Sequence, residues 1–150
     1  MPRVLPLSVP SGEGDEYRDD DEPVGGSMMQ PSVVKQNLTL EKFQIPEGCH
    51  ILETWNTDID DSVSIARARV APGVTTEWHQ LEGIVERYLV VEGRGLVEVG
   101  NLAPTEMGPG DLAFIPAGAR QRITNTGPGD LIFYCICTPR FRQERYRAHE

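Results

Sequence analysis

The sequence predicts an all-β fold, and three observations carry that expectation. Fifteen glycines and twelve prolines in 150 residues are heavy for a helical bundle and natural for a chain that turns often. From Ser32 onward, short apolar runs follow one another between clusters of turn residues. No segment between those runs carries the 3.6-residue period of an amphipathic helix.

The elements follow in order. His50–Trp55 and Ser62–Val70 are rich in β-branched and aromatic residues and are parted by Asp60-Asp61. Pro72-Gly73 turns the chain into Thr75–Gln80, and Val85–Glu92 comes next. Gly93-Arg94-Gly95 marks a tight return into Leu96–Val99, which ends at Gly100-Asn101. Asp111–Ile115, Gln121–Asn125 and Leu131–Thr138 complete the set, preceded by Gly108-Pro109-Gly110, Pro116-Ala117-Gly118 and Gly127-Pro128-Gly129. The pentapeptide Gly-Pro-Gly-Asp-Leu occurs at 108–112 and again at 127–131. Each copy launches an apolar strand with no helix after it, so it reads as a turn device and not as a phosphate loop. The one helical candidate is the tail, from about Arg142 to His149. Eight strands at this spacing form a sandwich or a barrel.

Charge divides the chain. Residues 1–30 hold seven acids and two arginines, with prolines, glycines and little periodic apolar content, and are expected to be a disordered acidic tail. Met28 and Met29 lie where the folded part begins, which makes an alternative start there an expectation for intact mass to check. The domain expected at 31–150 carries sixteen acids and twelve bases, so most of the net charge of -9 lies outside it. An acidic chain lacks the basic face that displaces counterions from a phosphate backbone, which argues against nucleic acid as a partner. Four arginines with Phe141 and Tyr146 in the tail more plausibly pair with the protein's own carboxylates or a second subunit. The longest apolar run, Leu131 to Cys137, falls far short of a membrane span, and Met1 to Pro10 has no continuous apolar stretch of a secretion signal. Cys49, Cys135 and Cys137 have neither disulfide-framework nor zinc-ribbon spacing, which suits a reducing, cytoplasmic setting.

Several polar residues stand where strand alternation aims them together. His79 shares a face with Thr75 and Glu77, Glu86 shares one with Tyr88, and Gln121 shares one with Ile123 and Asn125. If the interior takes these faces, His79, Glu86 and Gln121 converge. Glu86 stands between Val85 and Tyr88-Leu89-Val90-Val91, and a carboxylate buried there must be paired, protonated or metal-bound. With His79 as partner it would form an acid–base pair, with Tyr88 as a further hydroxyl donor and Gln121 binding a ligand. The bland readings are a core histidine, a packing tyrosine and buried structural cysteines. Arg67 and Arg69 share a strand face; an inward Arg69 would bind a substrate carboxylate, against the alternatives of a solvated face or a subunit contact. His50 and His149 have no informative context.

Gly73-x5-His79-x-Leu81-x4-Glu86-x6-Gly93 resembles the first motif of the cupin superfamily, and Gly110-x5-Pro116-x-Gly118-x2-Gln121-x3-Asn125 resembles the second. The resemblance implies a double-stranded β-helix, a jelly-roll-like barrel with a short helical or extended C-terminal arm. It also implies a homodimer and a small-molecule ligand in the barrel. In metal-binding cupins three histidines and a glutamate hold the ion; here Leu81 and Gln121 replace two of the histidines. His79, Glu86 and Gln121 remain as a reduced donor set for Fe, Mn, Ni or Zn, with weaker binding expected from an amide oxygen than from imidazole. Two functions stand open at this point. One is an enzyme, either a divalent-metal-dependent oxidoreductase or a metal-free isomerase or lyase using His79 and Glu86. The other is a ligand-binding module without turnover.

Overall fold

A computed structural model describes residues 30–45 and 47–149. The acidic segment expected to be disordered lies outside these residues, apart from Gln30. Among the described residues eleven strands run in chain order: β1 (Lys42–Gln44), β2 (Cys49–Trp55), β3 (Ser64–Val70), β4 (His79–Leu81), β5 (Val85–Glu92), β6 (Gly95–Val99), β7 (Thr105–Met107), β8 (Leu112–Ile115), β9 (Gln121–Asn125), β10 (Leu131–Thr138) and β11 (Tyr146–Ala148). They form two antiparallel sheets, in the orders β1-β2-β3-β10-β5-β8 and β11-β4-β9-β6-β7. The all-β expectation holds, and the strands expected at Val85–Glu92, Gln121–Asn125 and Leu131–Thr138 have those bounds.

Alternation decides what lies between the sheets. Ala68 and Val70 of β3, Tyr88 and Val90 of β5, Val97 and Val99 of β6, Ile123 of β9 and Leu131 and Phe133 of β10 build one buried cluster. A smaller one, Leu81, Ile84 and Cys137 with Phe141 and Tyr146 against it, sits under the C-terminal arm. Each buried aliphatic contributes about 1.5–3 kcal/mol.

The turn framework has physical work to do. Asn125 is buried; its amide donates to the Val70 and Gly129 carbonyls, both at 2.8 Å, and its oxygen accepts from the Gly127 N–H at 2.9 Å. One side chain thus anchors the second Gly-Pro-Gly turn to β3. In the first copy Asp111 does this locally, accepting from the Gly108 N–H at 2.8 Å. Gly93 has φ +82°, and an added Cβ would lie 2.5 Å from the Asp130 carbonyl oxygen. Gly93→Ala is therefore expected to cost about 2 kcal/mol, from the left-handed backbone and the displaced β10 start, read as a lower denaturant midpoint with unchanged slope.

Besides the short strands β1 and β7, which lie outside the eight expected, the structure departs from the strand, tail and Arg69 readings at three places. The stretch Thr75–Gln80 is a strand only at its end, preceded by an isolated bridge from Thr75 to Thr124. Glu77 N–H there donates to the Glu47 carbonyl instead of to a ladder partner. The tail, the one helical candidate and otherwise expected as an extended arm, is a single 3-10 turn, Gln143–Arg145, followed by β11. Pairing of β11 with the open edge of β4 (Tyr146 opposite Leu81, Ala148 opposite His79) satisfies more backbone than a short solvated helix would. Arg69 points away from the barrel. Ser64, Ala68 and Val70 of β3 are the buried side, and Arg69 on the other side pairs with Glu41 at 2.6 Å and Asp130 at 3.5 Å.

Candidate functional site

A cavity of about 180 Å³ opens beneath the C-terminal arm, small against the roughly 300–1,000 Å³ of pockets for drug-sized ligands. Glu47, Glu86, Cys135, Cys137 and Tyr146 are among the residues lining it.

Glu86 is the group of greatest consequence. Residue alternation in β5 turns Glu86 and Tyr88 inward, and β10 and β8 flank it, with Cys137 and Ile115 directly opposite. The Cys137 thiol donates to Oε2 at 3.4 Å. Oε1 has no hydrogen-bond partner; among the described residues it is the sole buried side-chain nitrogen or oxygen in that state. Burial pushes the Glu86 carboxyl up to about 7, against a downward pull from the Cys137 thiol, a further upward push from Glu47, and a downward pull from the Gln121 amide. At neutral pH both protonation states are populated.

The side chains expected to meet at this point divide into two ranks. Gln121 lies opposite His79 across β9 and β4, and both are buried. Tyr88 donates its hydroxyl to Gln121 Oε1. The amide is thereby oriented with its NH2 end toward Glu86, so Tyr88 and Gln121 support the carboxyl from behind and do not line the cavity. His79 also lies behind the wall. Its Nδ1 faces the Glu77 carbonyl at 2.9 Å, an acceptor only, which places a proton on Nδ1. The other ring nitrogen, Nε2, is 3.8 Å from Glu47 Oε1, and the Tyr146 ring stacks on the imidazole with centroids 4.9 Å apart. The Tyr146 hydroxyl donates to Glu77 at 2.8 Å.

Glu47 is thus the partner of His79, and the sequence reading missed it. Burial raises its carboxyl, His79 and the Cys49 thiol pull it down, and Glu77 pushes it up again. The available sign in the sequence was an acid inside a Pro-Glu-Gly turn just before the first long strand, which has no motif value by itself. Tyr146 stands in the sequence only as part of an arginine-rich tail. Trp78, beside His79, faces outward between the guanidinium groups of Arg120 and Arg122, 4.2 and 4.3 Å from its ring centre. That leaves the opposite side of β4 for His79.

The donor set does not fit a divalent metal. The ligating oxygen of Gln121 is committed to Tyr88 and its N–H groups face Glu86, where an ion would need the reverse. Leu81 has no donor atom. Among the described residues no three His, Cys, Asp or Glu side chains come together to hold an ion. The thiols are poor substitutes, because burial raises Cys137 and Cys135 well above the ordinary thiol range.

Residues 66–137 match a family described as "Cupin domain". An uncharacterized protein of Methanocaldococcus jannaschii is 30% identical over 107 residues, covering 70% of this chain and 85% of that protein. Among solved structures, Streptomyces PAC13 with uridine, from a nucleoside dehydratase, superposes with a TM-score of 0.66 at 17% identity, over 81% of this chain and 93% of that one. A predicted oxalate decarboxylase of Thermotoga maritima superposes with a TM-score of 0.64 at 22% identity, over 72% and 99%. At these identities the structural likeness is one of fold.

Proposed function

This chain belongs to the cupin superfamily, and we propose that it is a metal-free member that performs acid–base chemistry on a small polar molecule, an isomerase or lyase with Glu86 as its proton-transfer group. The observation that carries the reading is Glu86, a lining residue of the cavity whose buried Oε1 has no hydrogen-bond partner and whose carboxyl titrates near neutrality. A base poised near the working pH combines a populated carboxylate with a strong drive to take a proton. Glu86 takes the proton from a carbon next to a carbonyl. Glu47, also in the cavity lining and 3.8 Å from His79 Nε2, gives one to the developing oxyanion or the departing hydroxyl. His79 is then a positioning and proton-holding residue, its tautomer set by the Glu77 carbonyl. That a barrel of this kind belongs to a nucleoside dehydratase supports elimination as a reaction it can house. Three free cysteines support the expected reducing, cytoplasmic setting, and the exposed Leu112 and Phe114 of β8 support the expected homodimer.

The test is hydrogen–deuterium exchange. The protein is incubated in heavy water at about pH 7 with small hydroxy-carbonyl and amino-carbonyl compounds, cationic, neutral and anionic, and exchange at carbon is followed by proton NMR. Catalysed exchange is expected for one charge class, and Glu86→Gln is expected to slow it about 100- to 10,000-fold. Exchange at the wild-type rate in Glu86→Gln, or exchange with none of the compounds, overturns the assignment.

A further inference from the structure

Among the described residues, the lining of the same cavity holds three acidic side chains and no arginine or lysine. Glu47 and Glu86 lie on its wall and Glu53 is on its exposed side. The neighbouring cations are engaged elsewhere: Arg69 with Glu41 and Asp130, Arg87 with the Thr138 hydroxyl, and Arg140 with Asp61. Whatever share of these carboxyls is ionised, no lysine or arginine in the lining offsets it. Such a field repels carboxylates and phosphates, and it concentrates cations at the mouth. The decisive group is again Glu86, only 6% exposed and in the cavity lining, whose buried Oε1 has no hydrogen-bond partner. A neutral hydroxyl ligand would give it one hydrogen bond and leave the carboxylates uncompensated. An ammonium group gives a charge-assisted bond and a counter-charge together. The Tyr146 and Phe141 rings, also in the lining, favour a cation further.

We propose that the ligand of this cavity is a small molecule bearing a protonated amine, with its ammonium against Glu86 Oε1 in the field of Glu47 and Glu53. The proposal rests on the acid–base reading of the cavity and names its substrate class. Placing a cation there also holds Glu86 in the ionised form that a base requires.

Three matched probes separate charge from shape: 1-amino-2-propanol, propane-1,2-diol and lactate, titrated into the full chain at low salt and followed by NMR of labelled glutamate and cysteine side chains. The amine is expected to give saturable shifts at Glu86 and Cys135 and to bind at least about tenfold more tightly than the diol, with no binding of lactate. Glu86→Gln is expected to weaken the amine about tenfold, and Glu53→Gln, on the exposed side, about threefold. Diol or lactate binding as tightly as the amine, binding of none of the three, or an amine affinity unchanged in Glu86→Gln overturns the proposal. Deuterium exchange on neutral or anionic carbonyl compounds alone also overturns it while leaving the acid–base reading standing. Amine binding without exchange on any compound does the reverse.

Discussion

Glu86→Gln is expected to make the protein more stable at about pH 8 and to leave its stability near pH 4.5 almost unchanged. In the unfolded chain the carboxyl titrates at its ordinary value of 4.5; in the folded protein it titrates at about 7. Between those values the folded state holds a proton that the unfolded state has released, so stability falls as pH rises through the window. Above it the full cost is present, about 3 kcal/mol. The amide keeps the shape and cannot ionise, so the variant escapes that cost. The melting temperature should rise on the order of 8 °C at alkaline pH, with the gap closing as pH falls. A difference independent of pH would show that Oε1 is solvated and that the carboxyl is ordinary. Read with the expected loss of exchange activity, the variant tests whether this carboxyl stores strain for chemistry.

How far the sequence reveals such a site depends on which contacts are local. Glu86 was legible because its neighbours along β5 are apolar, so burial and its consequences follow from a few adjacent residues. Asn125 and the glycine turns were legible for a similar reason: a left-handed backbone or a capped turn is a local demand. Facing direction was less so. Ala66 and Ala68 alternate with Arg67 and Arg69, and alternation alone cannot say which side is inward; in the fold Ala68 is fully buried and Arg69 lies on the other side. Glu47 was beyond reach, because it meets His79 only once the β1–β2 turn is laid against β4. The tail stood open between a helical and an extended arm for the converse reason. Its residues have good intrinsic helix propensity, and a long-range pairing with the β4 edge outweighs that.

The C-terminal arm packs over the site and contributes Tyr146 to the cavity lining, and Tyr146 is the residue to remove. Its ring covers the His79 imidazole, its side chain packs on Leu81, Ile84 and Cys137, and it lines the cavity that Glu86 faces. Tyr146→Ala is expected to cost about 2–3 kcal/mol, less than a fully buried aromatic because the residue is half-buried. The larger consequence is electrostatic. Desolvation is the leading cause of the raised Glu86 carboxyl, so water entering through the vacated ring position relieves it. The Glu86 midpoint, read from its labelled carboxyl carbon, should fall below about 6, and the pH dependence of stability should flatten with it. Tyr146→Phe retains the ring and loses only the hydroxyl bond to Glu77, at about 1 kcal/mol. It should leave the Glu86 midpoint near 7. If Phe lowers the midpoint as far as Ala does, the Glu77 hydrogen bond sets the environment of Glu86. If neither lowers it, β5, β8 and β10 alone desolvate the carboxyl, and the arm serves as a binding wall without tuning the base behind it.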